Sequence, residues 1–257
     1  MKKLTKILSL VLVFAMLTLA FASCMPTDEE RVAAAMAKMA LAKKADYTVD
    51  MAVTVSVGGT TQEVPMTMVM KTDLSDAENP VFYMEMSQKS GNVTTNMITF
   101  YKDGYVYVNA SGQKFKTQMS YEEMMKDSGS GFDMTEIFEE KKDSVDESFE
   151  ITKNADGTLH VEMTITKEEF ASVFTGFTDQ VTGSLGANGT VEVSDTIFQI
   201  EIDKENNVTE AKTIMNMELT VNGQKATASC NIKFKYNPVG ADFVVPIPTD
   251  LSSYINI

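Results

Sequence analysis

The chain lacks most of what metal, redox and nucleic-acid chemistry require. It has one His, two Cys and no Trp in 257 residues. A single His and no Cys cluster leave no ordinary zinc or iron–sulfur ligand set. Basic residues are outnumbered 36 to 22, for a formal charge of −14, and no basic run occurs beyond the first six residues. Phosphate affinity comes mainly from Lys and Arg, so the composition argues against nucleic-acid binding. No Gly-rich segment matches a phosphate loop, and the Ser-Gly stretch at 128–131 has no strand–turn–helix context for a nucleophile elbow. His160 alternates with Leu159 and Val161, on a polar face beside Glu162. The sequence offers it no partner or orienting group, so it reads as a solvated side chain. Neither an enzyme nor a metal or cofactor site is expected. Missing Trp also removes a common stacking ring for carbohydrate.

What is present is a globular composition, 44% hydrophobic and 23% charged, with 19 Met as its anomaly. Lys2, Lys3 and Lys6 precede an apolar run from Ile7 to Ala22. That run is shorter than the roughly 20 residues of a spanning helix, and it ends in small residues, as a secretory signal peptide does. The ending Phe21-Ala22-Ser23-Cys24 resembles the bacterial lipobox, with Phe21 where Leu is usual. The resemblance implies cleavage after residue 23 and a diacylglyceryl group on Cys24, a two-chain anchor sufficient for stable membrane attachment. The expected location is the outer face of the bacterial cytoplasmic membrane. Losing residues 1–23 removes three lysines and takes the charge from −14 to −17. A basic patch is therefore not the anchor. Cys230 then has no partner for a disulfide.

Three capping boxes punctuate the remainder: Thr27–Glu30, Ser120–Glu123 and Thr166–Glu169. Each places a hydroxyl and a carboxylate to satisfy orphan amides at a helix start. The first helix should run to about Lys44, with Val32, Met36 and Met39 on one stripe. A short helix should follow Ser120, and another is plausible at Asp133–Lys142. The helix after Thr166 aligns Phe170, Val173, Phe174, Phe177 and Val181.

Elsewhere the period is 2. Val49 to Val57, Met66 to Met70, Phe82 to Met86, Leu159 to Ile165, Val191–Asp203, Thr213 to Val221 and Ala226 to Tyr236 all alternate. Hairpin signals join many of them, including Asp103-Gly104 and Asn222-Gly223. Cys230 sits on an apolar face and needs no chemistry. The tail from Pro238 should be extended. Alternation with hairpin-length turns indicates antiparallel sheet, one face covered and one wet. The fold class expected is α+β: one large curved antiparallel sheet, a half-barrel, with helices on its concave face. Residues 24–257 would form a single domain on a short lipidated tether.

In order, these features resemble the bacterial lipoproteins of the LolA/LolB and LppX superfamily, most closely its uncharacterised Gram-positive members. The resemblance rests on the lipobox, the first helix, the hairpins Phe100–Asn109 and Gly112–Lys116, the internal helix pair and the closing run Ile200–Asn207, Met215–Met217 and Tyr236-Asn-Pro238. It implies a helix-covered half-barrel enclosing an apolar cavity, and a carrier of acyl chains.

The function expected is therefore a lipid-anchored extracytoplasmic binding protein that holds a lipid or other amphiphile. Its candidate lining residues are Met66, Met68, Met70, Phe82, Met84, Met86, Met215 and Met217, with Phe170, Phe174 and Phe177 from the covering helix. Methionine is soft and polarizable, suited to flexible acyl chains; the same residues could equally fill a core. The alternative is a surface lipoprotein serving as a protein-interaction or sensor module, its core filled by its own side chains.

Overall fold

A computed structural model describes residues 26–91, 93–127, 149–173, 189–221 and 223–257. The order is α1 (Asp28–Leu41), β1 (Lys44–Val57), β2 (Thr60–Asp73), β3 (Val81–Ser90), β4 (Val93–Lys102), β5 (Tyr105–Ala110), β6 (Gln113–Gln118) and α2 (Tyr121–Asp127). Then come β7 (Phe149–Lys153), β8 (Leu159–Ile165), α3 (Lys167–Val173), β9 (Thr190–Val193), β10 (Thr196–Ile202), β11 (Val208–Val221), β12 (Gln224–Tyr236), a 3-10 turn (Leu251–Ser253) and β13 (Ile255–Asn256). The helix expected at Asp133–Lys142, and Cys24, Phe174, Phe177 and Val181, lie outside the described residues.

All thirteen strands join one open sheet, in the order β13-β6-β5-β4-β3-β2-β1-β12-β11-β10-β8-β7, with β9 also on β11. Every pair is antiparallel except β13 with β6. The sheet is a curved half-barrel and does not close. Its hinge pair is β1 with β12, which joins the two ends of the chain over eleven residue pairs from Tyr47↔Tyr236 to Val57↔Ala226. The expected α+β class and layout are what the structure has.

All three capping boxes form. The amide of Thr27 donates to Glu30 Oε2 at 2.8 Å and that of Glu30 to Thr27 Oγ1 at 3.2 Å. The same reciprocal bonds tie Ser120 to Glu123 and Thr166 to Glu169. Helix α1 stops at Leu41, short of Lys44, because the β1–β2 hairpin extends to Lys44↔Asp73. An ion pair at 3.0 Å closes that end. The strand expected over Val191–Asp203 is broken at Ser194-Asp195. Val193 pairs with Met217 but Ile197 with Ile214, so the register slips by one residue as at a bulge. The break has a use: Asp195 accepts the amide of Lys167, at the start of α3, at 3.0 Å.

The three helices share one face of the sheet, here the inner face. Val32, Ala35 and Met36 of α1 pack on Leu159, Val161, Ile200, Ile202 and Ala211. Phe170 of α3 packs on Met163, Phe198, Met215 and Met217. Met124 of α2 packs on Phe82 and Tyr101. Arg31, the chain's one arginine, is buried and seats α1 across two turns. It donates to Asn206 Oδ1 at 2.9 Å and to the carbonyls of Gly157 and Asp203 at 3.0 and 2.9 Å. No helix among the described residues is long and apolar enough to cross a membrane.

The tail is more than extended chain. It straps the outer face of the β1–β6 half. Val245 and Tyr254 are buried there with Tyr83, Phe100 and Tyr107, flanked by Phe243, Ile247 and Leu251. Tyr254 meets the stacked pair Phe100–Tyr107 edge-on at 5.6 and 5.2 Å, a preferred aromatic geometry. Lys44 and Lys71 lie over the Phe243 ring at 5.8 and 5.7 Å. Asp250 pairs with Lys114, and β13 ends the strap by pairing Ile255 beside Phe115.

Candidate inner-face binding site

Directly paired residues of an antiparallel sheet point to the same side, so register sorts every strand residue into inner or outer. Met68 faces Met86, and Met86 faces Met97. On its other side Met68 faces Val49, and Val49 faces Phe234. Two residues along, Met66 faces Met51 and Met51 faces Ile232. Two residues the other way, Met84 faces Met70, Met70 faces Tyr47, and Tyr47 faces Tyr236. The result is a methionine-rich strip across four strands.

Among the described residues, no inward position of β1–β6 or β8–β12 carries Asp, Glu, Lys, Arg or His. The polar groups there are those of Thr, Gln, Tyr and the Cys230 thiol. Every charged residue of those strands points outward, where Asp50, Lys71, Glu85, Lys116, Glu162, Glu201, Lys212 and Lys233 lie. An apolar wall of this extent, free of charge, fits hydrocarbon.

The candidate lining residues divide. Met215 (7% exposed), Met217 (9%) and Phe170 (2%) are sealed in one cluster with Met163, Phe198 and Cys230. Phe82 (9%) is sealed with Tyr101 and Met124, and Met70 and Met84 flank that cluster. Met66, Met68 and Met86 are half-buried and belong to none of the four apolar clusters among the described residues. Met97 shares that condition and is a neighbour the alternation alone did not single out. Its position became visible only through the pairing Met86↔Met97. Burial pushes the Cys230 thiol up, which keeps it protonated and inert.

At one end of the strip lie three half-buried tyrosines. Tyr47 and Tyr236 pair across β1 and β12 with ring centroids 5.8 Å apart. Tyr121 of α2 meets Tyr101 edge-on at 5.4 Å. Burial raises the phenol pKa of all three, to about 12 for Tyr236, with Tyr121 adding to Tyr47 and Tyr47 to Tyr236. Their hydroxyls therefore stay neutral at ordinary pH.

His160 has a partner that its sequence neighbourhood does not reveal. Its Nδ1 lies 2.6 Å from Glu201 Oε1, across the pair His160↔Glu201, and its Nε2 lies 4.0 Å from Glu162. Glu162 also accepts from Gln199 at 2.8 Å. This polar group sits on the outer face, with the sheet between it and the methionines. No His/Cys/Asp/Glu group among the described residues could hold a metal ion.

The fold and site thus define an open antiparallel half-barrel whose helix-bearing face is apolar and, at the described inward positions of β1–β6 and β8–β12, free of charge. The chain belongs to the DUF6612 family, described as a family of unknown function, whose model matches residues 29–250. No curated protein matches it. Among solved structures it is similar to LprF from Mycobacterium bovis, at 14% identity and a TM-score of 0.39, over 87% of this chain and 98% of that one. It is also similar to a DUF1329 family protein from Desulfovibrio piger, at 10% identity and a TM-score of 0.29, over 82% and 92% of the two chains. A domain described as an outer membrane lipoprotein-sorting protein, from Vibrio parahaemolyticus, matches at 8% identity and a TM-score of 0.27, over 82% and 93%. At such scores no ligand and no residue role passes from them to this chain.

Proposed function

We propose that this protein is a lipid-anchored binding protein that holds the hydrocarbon of a lipid or other amphiphile against its inner face, outside the bacterial cytoplasmic membrane. One observation carries the reading: Met66, Met68, Met86 and Met97 form a contiguous, half-buried strip on a face without charge. Met side chains left outside a packed core adapt to chains of varied length and unsaturation. The anchor would be the diacylglyceryl group on Cys24, three residues before the N-cap Thr27. That spacing keeps α1 and the strip within a short tether of the bilayer from which a ligand could be drawn.

The alternative, an interaction or sensor module with a filled core, draws on the β8–β12 half, where α1 and Phe170 seal the same inner face. The two readings part only at the methionine strip. Native mass spectrometry with organic extraction, on protein purified from a membrane-containing host, separates them. Co-purifying lipid that is lost in Met68→Asp and Met86→Asp supports binding. A clean apo mass that persists after incubation with lipid vesicles would falsify it and favour the alternative. Mass spectrometry of the N-terminal peptide tests the anchor; an unmodified or uncleaved Cys24 overturns that part.

A further inference from the structure

The binding reading leaves open what the ligand presents besides hydrocarbon, and the inner face restricts the answer. Tyr47 and Tyr236 stand side by side where β1 meets β12. Tyr47 also faces Met70, which in turn faces Met84. Tyr121 approaches from α2, within a cluster that includes Met70 and Met84. Tyr236 reaches the other way, to the cluster under α1 that includes Met39. The three phenols thus occupy the seam between the two helices, at the end of the methionine strip.

None of the three hydroxyls has a hydrogen-bond partner among the described residues. Among those residues no side-chain polar atom is both sealed from solvent and without a partner. A tyrosine in apolar surroundings normally finds a partner for its hydroxyl. Here three sit together without one among the described residues, beside a hydrocarbon-compatible wall. A bound charge would find no counter-ion on the strands beside the tyrosines, because no described inward position of β1–β6 or β8–β12 carries a cation or an anion, and an unpaired charge is costly to desolvate. Neutral phenols instead donate to ester oxygens, and both donate to and accept from hydroxyl groups.

We propose that Tyr47, Tyr121 and Tyr236 are the polar end of the ligand site and that they take the uncharged oxygens of a neutral glycerolipid. This rests on the binding reading. It adds a preference that a merely apolar wall would not have: a lipid with hydroxyl and ester oxygens is held over one with a phosphate at the same position.

The test uses the full-length lipoprotein in a non-ionic detergent, loaded from mixed micelles with dioleoylglycerol or dioleoylphosphatidylglycerol and read by native mass spectrometry. Dioleoylglycerol should be retained at least several-fold better. Tyr47→Phe and Tyr236→Phe should each weaken its retention roughly five-fold, the size of one neutral hydrogen bond. Phenylalanine keeps the ring, and an unchanged thermal midpoint confirms that packing survives. Equal retention of both lipids by the wild type, with the Phe variants unaltered, overturns the tyrosine proposal and leaves lipid binding standing. Retention of neither lipid overturns both.

Discussion

The two halves of the sheet bury opposite faces. In the β8–β12 half the inner face is sealed: Leu159, Val161, Met163, Ile165, Phe198, Ile200 and Ile202 lie under α1 and Phe170. Its outer face is wet and carries His160, Glu162, Glu201 and Lys233. In the β1–β6 half the dense packing lies behind the sheet, where the strap covers Tyr83, Phe100 and Tyr107. Among the described residues the inner face there is sealed near α2 and at Val49, and is half-buried at Met66, Met68, Met86 and Met97. A sheet must bury at least one face to be stable. Where the inner face is only half-buried, burial on the outer face supplies what a helix layer supplies elsewhere. The C-terminal strap is therefore the feature that lets the methionine strip remain open.

The contrast is broken most severely in its two cores. Phe198→Ala, under Phe170, and Phe100→Ala, under the strap, should each lose roughly 3–5 kcal/mol in urea unfolding. A loss below about 1 kcal/mol at Phe100 would mean that the strap packs loosely and that the first half is stabilised elsewhere. Next in size is Arg31→Met, which removes three bonds from a charged donor. It should cost roughly 2–3 kcal/mol and should speed hydrogen exchange in the turns at Gly157 and Asp203. Exchange that speeds in β3–β5 instead would show that the halves are not separately seated.

The alkaline limb compares one phenol from each half. Burial pushes Tyr83, behind the first half, and Tyr236, on the inner side, up to about 12 from 10.0. Above pH 10 the unfolded chain releases protons that the folded chain retains, so stability falls as pH rises from about 10 to about 12. Tyr236→Phe should flatten that fall in denaturant titrations. An unchanged slope would mean that Tyr236 titrates as an exposed phenol. The smallest effect is at the end of the strap. Hydrogen bonds from Lys114 and Ser253 hold the Asp250 carboxyl below its usual 3.8. Its contribution is present above that value and is lost as pH falls through the lower folded one. Asp250→Asn should leave global stability nearly unaltered while the Ile257 amide, bonded to the Lys116 carbonyl, exchanges faster. Unaltered exchange would show that Tyr254 alone holds the strap.

Local chemistry was legible wherever a signal and its effect are close in the chain. The three capping boxes formed because hydroxyl, carboxylate and amide lie within four residues. Alternation assigned the strands because side-chain direction depends only on the period of 2. It also placed Met66, Met68, Met84 and Met86 on an apolar face. Alternation did not show that Met97 joins them, that His160 meets Glu201, or that Tyr47 meets Tyr236, since those depend on pairing between distant segments. The tail was the largest shortfall. Its prolines mark extended chain, yet nothing in a run without period shows that Val245 and Tyr254 will be buried.

Sequence by itself determined most of the described elements, the three capping boxes, the alternation of the longer strands and the exclusion of charge from one face of β1–β6 and β8–β12, because each follows from backbone geometry and residue spacing. Only the tertiary structure decided which methionines are sealed and which stay open. That depends on where α1, α2, Phe170 and the strap land, and their docking is set by long-range register and burial that no local pattern encodes.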